Sequence, residues 1–134
     1  MVTKNVTLQW NPVQSFVLKD SDDFPVRMKK PDGVSASDLL PMSLIGCVAY
    51  DVVEILQKQR QDVRELRITA ESTQDDEPPW RFRQIRVLFQ AIGSGLDPEK
   101  VRKAIHLTEE KYCAVYATLR EAVEITNEVE IIEA

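Results

Sequence analysis

Three residues are best suited to chemistry in this chain: Cys47, Cys113 and His106. Two thiols can be oxidised together and reduced again, so they can make one redox pair. They cannot staple a disulfide scaffold of the small secreted kind. With one histidine they cannot complete a four-ligand zinc site unless carboxylates join, and Asp51 is the acid that would join them. A Ser-His-Asp or Cys-His device would rest on His106 alone, which falls on the polar side of its helix with Arg102 and Glu110. Each cysteine also has a plain structural reading as a small packed residue. Tyr50 at i+3 and Asp51 at i+4 share the helix face of Cys47. The Asp51 carboxylate can accept a thiol proton. Alternatively Asp51 and Glu54 bind the arginines that follow, which is the fate expected of Glu54. Cys113 opens a short helical run, a position that favours a thiolate.

The elements that must position these residues follow from periodicity. Val6, Leu8 and Trp10 alternate with Thr7 and Gln9; Phe16 and Leu18 alternate next, then Phe24, Val26 and Met28. The turns Asn11-Pro12 and Asp20-Ser21-Asp22-Asp23 separate them, giving a three-stranded antiparallel meander that ends at Lys30-Pro31-Asp32-Gly33. From Leu39 to Leu56 the chain is apolar on nearly every side, broken by Ser43, Asp51 and Glu54, in a helix that runs on to about Gln59. A helix of that kind is buried all round. A domain of this size would struggle to enclose it alone, which predicts a dimer. Asp38 is the expected N-cap, because Pro41 must lie in the first turn.

Leu66, Ile68 and Ala70 alternate with Arg67, Thr69 and Glu71; Ile85, Val87, Phe89 and Ala91 form a second such strand. Asp75-Asp76-Glu77-Pro78-Pro79 is the hairpin loop between them. Asp97-Pro98-Glu99 starts a helix with the face Val101, Ala104, Ile105 and Thr108. A break near Lys111 leads into the run Cys113 to Leu119. Val123, Ile125, Val129 and Ile131 make a last strand. The order β-β-β-α-β-β-α-α-β is an α+β pattern within a single domain, residues 1–134.

Composition narrows the function classes. The chain has 134 residues, 43% hydrophobic and 29% charged, which suits one folded domain and excludes whole-chain disorder. There is no basic-then-apolar leader, and the longest stretch free of charge and proline is too short for a bilayer. Free thiols and these absences point to a cytoplasmic protein. The net charge of −5 disfavours nucleic acid and anionic membranes as partners. Six of the nine arginines fall between Arg60 and Arg86. They read as one sheet face with acidic partners such as Glu65 and Glu71, rather than as a nucleic-acid ribbon. Gly93-Ser94-Gly95 is too short a signal for a phosphate loop.

Two motifs carry a resemblance. Ser37-Asp38-Leu39-Leu40-Pro41-Met42-Ser43-Leu44-Ile45-Gly46-Cys47 resembles an acid followed by leucines and small residues up to Gly-Cys. Glu110-Lys111-Tyr112-Cys113-Ala114-Val115 resembles a Lys-Tyr-Cys motif before a small residue and a valine. Both are similar to motifs of the OsmC/Ohr group, the osmotically inducible protein C and organic hydroperoxide resistance proteins. The step of 66 residues between the cysteines and the element order agree along essentially the whole chain.

The resemblance implies an OsmC-like fold and an intertwined homodimer with sites at the subunit interface. It implies a thiol peroxidase that needs no metal or haem cofactor. Cys47 would attack an organic hydroperoxide and become a sulfenic acid, Cys113 would resolve it as a disulfide, and an external dithiol would reduce that bond. Asp38 stands one step from the glutamate that precedes the helix in the best-known members, and Asp51 matches an aspartate of a divergent branch. This chain departs from the peroxidases of the group in its hairpin, Asn11-Pro12-Val13-Gln14-Ser15-Phe16, which lacks their arginine. That departure leaves a second reading: a non-catalytic protein of the same fold that binds a small hydrophobic ligand or senses thiol redox state.

Overall fold

A computed structural model describes residues 1–29 and 31–134. The chain divides into two compact units, residues 1–40 and 41–134. In the first, β1 (Thr7–Asn11), β2 (Ser15–Lys19) and β3 (Pro25–Met28) form an antiparallel sheet in chain order. The register pairs Leu8 with Leu18, Trp10 with Phe16, Phe16 with Met28 and Leu18 with Val26. All six side chains therefore share one face, as strand alternation requires. The Trp10 and Phe16 rings sit 6.3 Å apart.

Short acceptor side chains close both turns. Asn11 Oδ1 accepts from the N–H groups of Val13 and Gln14, and Asp20 Oδ1 from those of Asp22 and Phe24. Lys30, one end of the expected Lys30-Pro31-Asp32-Gly33 boundary, lies outside the described residues. Chain entry into the long helix differs from the expectation. Asp38 does not cap it; Ala36–Asp38 form a 3-10 turn that runs into α1 (Leu39–Lys58). The Asp38 N–H bonds the Ser35 carbonyl at 3.1 Å, so the backbone meets the need that a capping side chain would have met.

In the second unit, β4 (Asp62–Gln74), β5 (Phe82–Ser94) and β6 (Glu124–Glu133) form a sheet with β5 in the centre. β4 and β5 are an antiparallel hairpin, whereas β6 lies parallel to β5. A parallel neighbour needs a crossover, and α2 (Pro98–Lys111) and α3 (Ala114–Leu119) supply it. The predicted inner face is observed: Ile85, Val87, Phe89 and Ala91 are buried on β5. Gly93 permits the strand ends to meet, since a Cβ there would lie 1.9 Å from the Asp62 carbonyl oxygen.

The long helix is not buried all round in a single chain. Leu44, Val48, Val52 and Leu56 make a stripe at most 2% exposed, while Tyr50 is 74% exposed. Ala36–Lys58 has the length and apolarity to cross a bilayer, but this stripe packs into the protein's own core. Leu44, Ile45 and Val48 of α1 meet Val87 and Phe89 of β5, Ile125 of β6 and Glu109 of α2 in one closed seam. The α2 cap is as predicted, with the Asp97 carboxylate accepting from the Glu99 N–H at 3.0 Å.

Phe89 fills the centre of this layer, so Phe89→Ala should lower stability by about 4 kcal/mol. Asp97→Ala, which removes only a cap, should cost about 1 kcal/mol. Urea unfolding of the two variants beside wild type checks both the order and the gap.

Candidate functional site

Cys47 stands mid-helix on α1 and is half-buried; Cys113 is 2% exposed. Both are free thiols. The second cysteine owes its place to the end of α2. The N–H groups of Tyr112 and Cys113 both bond the Thr108 carbonyl, which stops the helix. Cys113 then becomes the N-cap of α3, its Sγ accepting from the Tyr116 N–H at 3.3 Å. In this position it is near enough to Cys47 for that residue to act on its thiol.

Burial pushes the Cys113 thiol up to about 11, and the neighbouring Cys47 adds to the shift. The N–H groups of Tyr116 and Val115 pull the other way, as donors to a sulfur should. No lysine or arginine is among the groups that act most on it. Cys113 is thus held as the neutral thiol at pH 7, whereas Cys47 is the more open of the two.

The other expected site residues fall in different places. Asp51 is half-buried one turn beyond Cys47. Asp38 ends the 3-10 turn of the first unit. His106 is exposed, as its helical position suggested. Glu54 does not bind an arginine; it pairs with Lys58 at 3.0 Å, because an i,i+4 partner on its own helix is nearer than the sheet. Four of the six arginines of 60–86 pair with acids on the sheet, and Arg81 bonds the Ala122 carbonyl. Arg64 pairs with Asp62, Arg67 with Glu65, Arg83 with Asp75, and Arg86 with both Glu71 and Glu128. Their charge is therefore largely neutralised where it stands.

A groove of about 390 Å³ runs between the two longer helices. Asp51, Glu54, Ile55 and Lys58 of α1 line one side, Leu107 and Tyr112 the other.

One buried titratable group had not been expected. Glu109 is 7% exposed, and its Oε1 accepts from Asn127 Nδ2 at 2.6 Å. Burial raises its carboxyl above the ordinary range, against the pull of the Asn127 bond. A sequence signal was present. Glu109 stands four residues after Ile105 and so continues the apolar stripe Val101, Ala104, Ile105 and Thr108.

With the fold and the cysteine pair described, comparison places the chain. Residues 29–128 match the pattern of the family described as OsmC-like protein. The chain belongs to the OsmC-like family. Protein YhfA of Escherichia coli strain K12 is 34% identical over 130 residues, which cover 95% of this chain and 97% of that one. A hypothetical protein from Aquifex aeolicus VF5 has a solved structure that superposes with a TM-score of 0.87 at 25% identity, covering 100% of this chain and 99% of that one. An organic hydroperoxide resistance protein OsmC from Legionella pneumophila shares the fold, with a TM-score of 0.65, 14% identity, and coverage of 97% and 98%. This OsmC-like chain therefore has the α+β architecture of the OsmC/Ohr proteins.

The raised Glu109 carboxyl makes a pH prediction. A group raised on folding favours the fold while it is protonated. That contribution is complete below the ordinary carboxyl pKa and is lost as pH rises through the raised one. Glu109→Gln keeps an acceptor for Asn127 and never ionises. The stability of wild type relative to Glu109→Gln should therefore fall from acid toward neutral pH, as read by urea unfolding at a series of pH values.

Proposed function

We propose that this OsmC-like protein is a thiol-dependent peroxidase that reduces organic hydroperoxides. The observation that carries the reading is a half-open thiol, Cys47, against a buried neutral one, Cys113. Cys47, as thiolate, attacks one oxygen of the O–O bond. That bond breaks, the alcohol leaves with a proton, and Cys47 is left as the sulfenic acid. The Cys113 sulfur then attacks the Cys47 sulfur. The hydroxyl departs with the Cys113 proton as water, and the Cys47–Cys113 disulfide remains. The raised Cys113 thiol must give up its proton as it attacks, and the leaving hydroxyl is the group that takes it. An external dithiol restores both thiols by exchange.

Asp51 stands one helical turn beyond Cys47 in this scheme. The mostly apolar sequence of the helix that carries Cys47 suits an alkyl hydroperoxide better than hydrogen peroxide. The hydroperoxide resistance named for the Legionella protein of the same fold supports the assignment. The working form is a homodimer in the cytoplasm. Two uncovered apolar surfaces support the association: Leu8 and Trp10 on the first sheet, 51% and 57% exposed, and Met42 and Tyr50 on α1. Ligand binding or redox sensing without turnover is the second reading. It is favoured by the pairing of four arginines with acids of the sheet.

Wild type should consume cumene hydroperoxide with a dithiol faster than hydrogen peroxide, and Cys47→Ser should abolish this. Cys113→Ser should complete one turnover and accumulate the Cys47 sulfenic acid, which dimedone traps for mass spectrometry. Absence of turnover above Cys47→Ser, with both thiols free afterwards, would leave the second reading. Separately, Trp10→Glu should convert a dimer to a monomer in sedimentation equilibrium, since it puts a charge on a face that association would dry.

A further inference from the structure

Along α1, Cys47, Asp51, Glu54 and Lys58 follow at i, i+4, i+7 and i+11, a single stripe of the helix surface. At 1.5 Å per residue, Asp51 lies about 6 Å along the axis from Cys47 and Lys58 about 16 Å. The last three of these residues line the groove between α1 and α2, and Tyr112, the neighbour of Cys113, closes its other side. Its Asp51 end therefore lies one helical turn from Cys47, which is not itself among the lining residues.

The charges in the groove are not equivalent. Glu54 and Lys58 neutralise each other at 3.0 Å. Asp51 is half-buried, and among the described residues its carboxylate takes part in no hydrogen bond or ion pair. Lys58 is the one cation among the lining residues, and it is held by Glu54 at the far end. The end next to Cys47 thus carries an uncompensated negative charge. A carboxylate beside a sulfur that must become anionic is unfavourable until a positive charge stands near both. The groove also offers Ile55 and Leu107 as an apolar floor for a short carbon chain.

We propose that this groove selects an oxidising substrate that carries its own cation, an ammonium or guanidinium group that seats on Asp51 while the reacting bond meets Cys47. The substrate then completes the electrostatics of the site. This rests on Cys47 as the attacking thiol but not on the peroxide as its target.

Charged disulfides test it apart from peroxide turnover. The Cys47 thiolate attacks one sulfur, the S–S bond breaks, half of the reagent leaves as a thiolate that takes up a proton, and the other half stays on Cys47. Rates of adduct formation on the reduced protein would be measured by mass spectrometry for cystamine, hydroxyethyl disulfide and dithiodipropionate. Each is normalised to its rate with a small free thiol. Wild type should prefer the cationic reagent. In Asp51→Asn the ratio of cystamine to dithiodipropionate should fall by about fivefold, the scale of one partly exposed ion pair. Asp51→Glu should keep the preference. So should Glu77→Gln, which removes one charge from the β4–β5 turn; Asp51→Ser serves as a second neutral variant if Asp51→Asn does not fold. An unchanged ratio in the neutral Asp51 variants, an equal fall in Glu77→Gln, or first adducts on Cys113 would each overturn the proposal. A cationic preference that depends on Asp51 in a protein without peroxide turnover would end the peroxidase reading and leave this one standing. Peroxide turnover with no charge preference would do the reverse.

Discussion

The placing of Cys113 near enough to Cys47 for one thiol to act on the other is the constraint on which the rest of this OsmC-like molecule turns. Two cysteines far apart in sequence become neighbours only if two separate stretches of chain are held together. Here α1 is fixed by the stripe Leu44, Val48, Val52 and Leu56. The approach of Cys113 is fixed by the end of α2, where two N–H groups converge on the Thr108 carbonyl. Thr108 is itself buried, and its hydroxyl is tied to the Ala104 carbonyl at 2.8 Å. The side chain that needs burial and the carbonyl that ends the helix thus belong to one residue.

The electrostatics of the second unit divide in the same way. The sheet has many charges and neutralises them locally: Arg86 alone touches acids from two strands, one on each side of β5. The helices pair their exposed charges too, Glu54 with Lys58, Glu99 with Arg102 and Glu110 with Arg120, but not their buried ionisable groups. Burial dominates the shifts of Glu109 and Cys113, and among the described residues neither has an ion-pair partner. A polar surface that balances itself beside an interior that does not is what allows a reactive sulfur to be governed by whatever enters next to it.

Much of the fold was legible in the sequence because its elements obey simple periods. The strands of the first unit alternate without exception at Leu8, Trp10, Phe16 and Leu18, and β5 does so at Ile85, Val87, Phe89 and Ala91. The Asp97-Pro98-Glu99 helix start needs no tertiary knowledge. The entry to α1 was less legible, since a 3-10 turn satisfies the same backbone groups as an Asp38 cap and leaves no distinct residue pattern. The partner of Glu54 was misjudged because sheet arginines are visible in the sequence while their own acidic neighbours across strands are not. The cysteines were recognisable as motifs, but their mutual approach depends on where α2 stops. Glu109 went unseen because an acid on an apolar stripe usually marks the stripe's edge.

The parallel placement of β6 beside β5 has a consequence for the chain as a polymer. It forces a long crossover, and Cys113 sits inside that crossover while Cys47 precedes the whole sheet. A bond between them closes a loop of 66 residues. Such a closure removes disorder from the unfolded chain worth about 4 kcal/mol in the chain-entropy account. Oxidation would therefore make the fold harder to unfold, and by the same linkage the fold would make the disulfide harder to reduce. A reductant of such a bond would work against the architecture that assembles it, and the gain in stability would come from the unfolded chain rather than from the folded one.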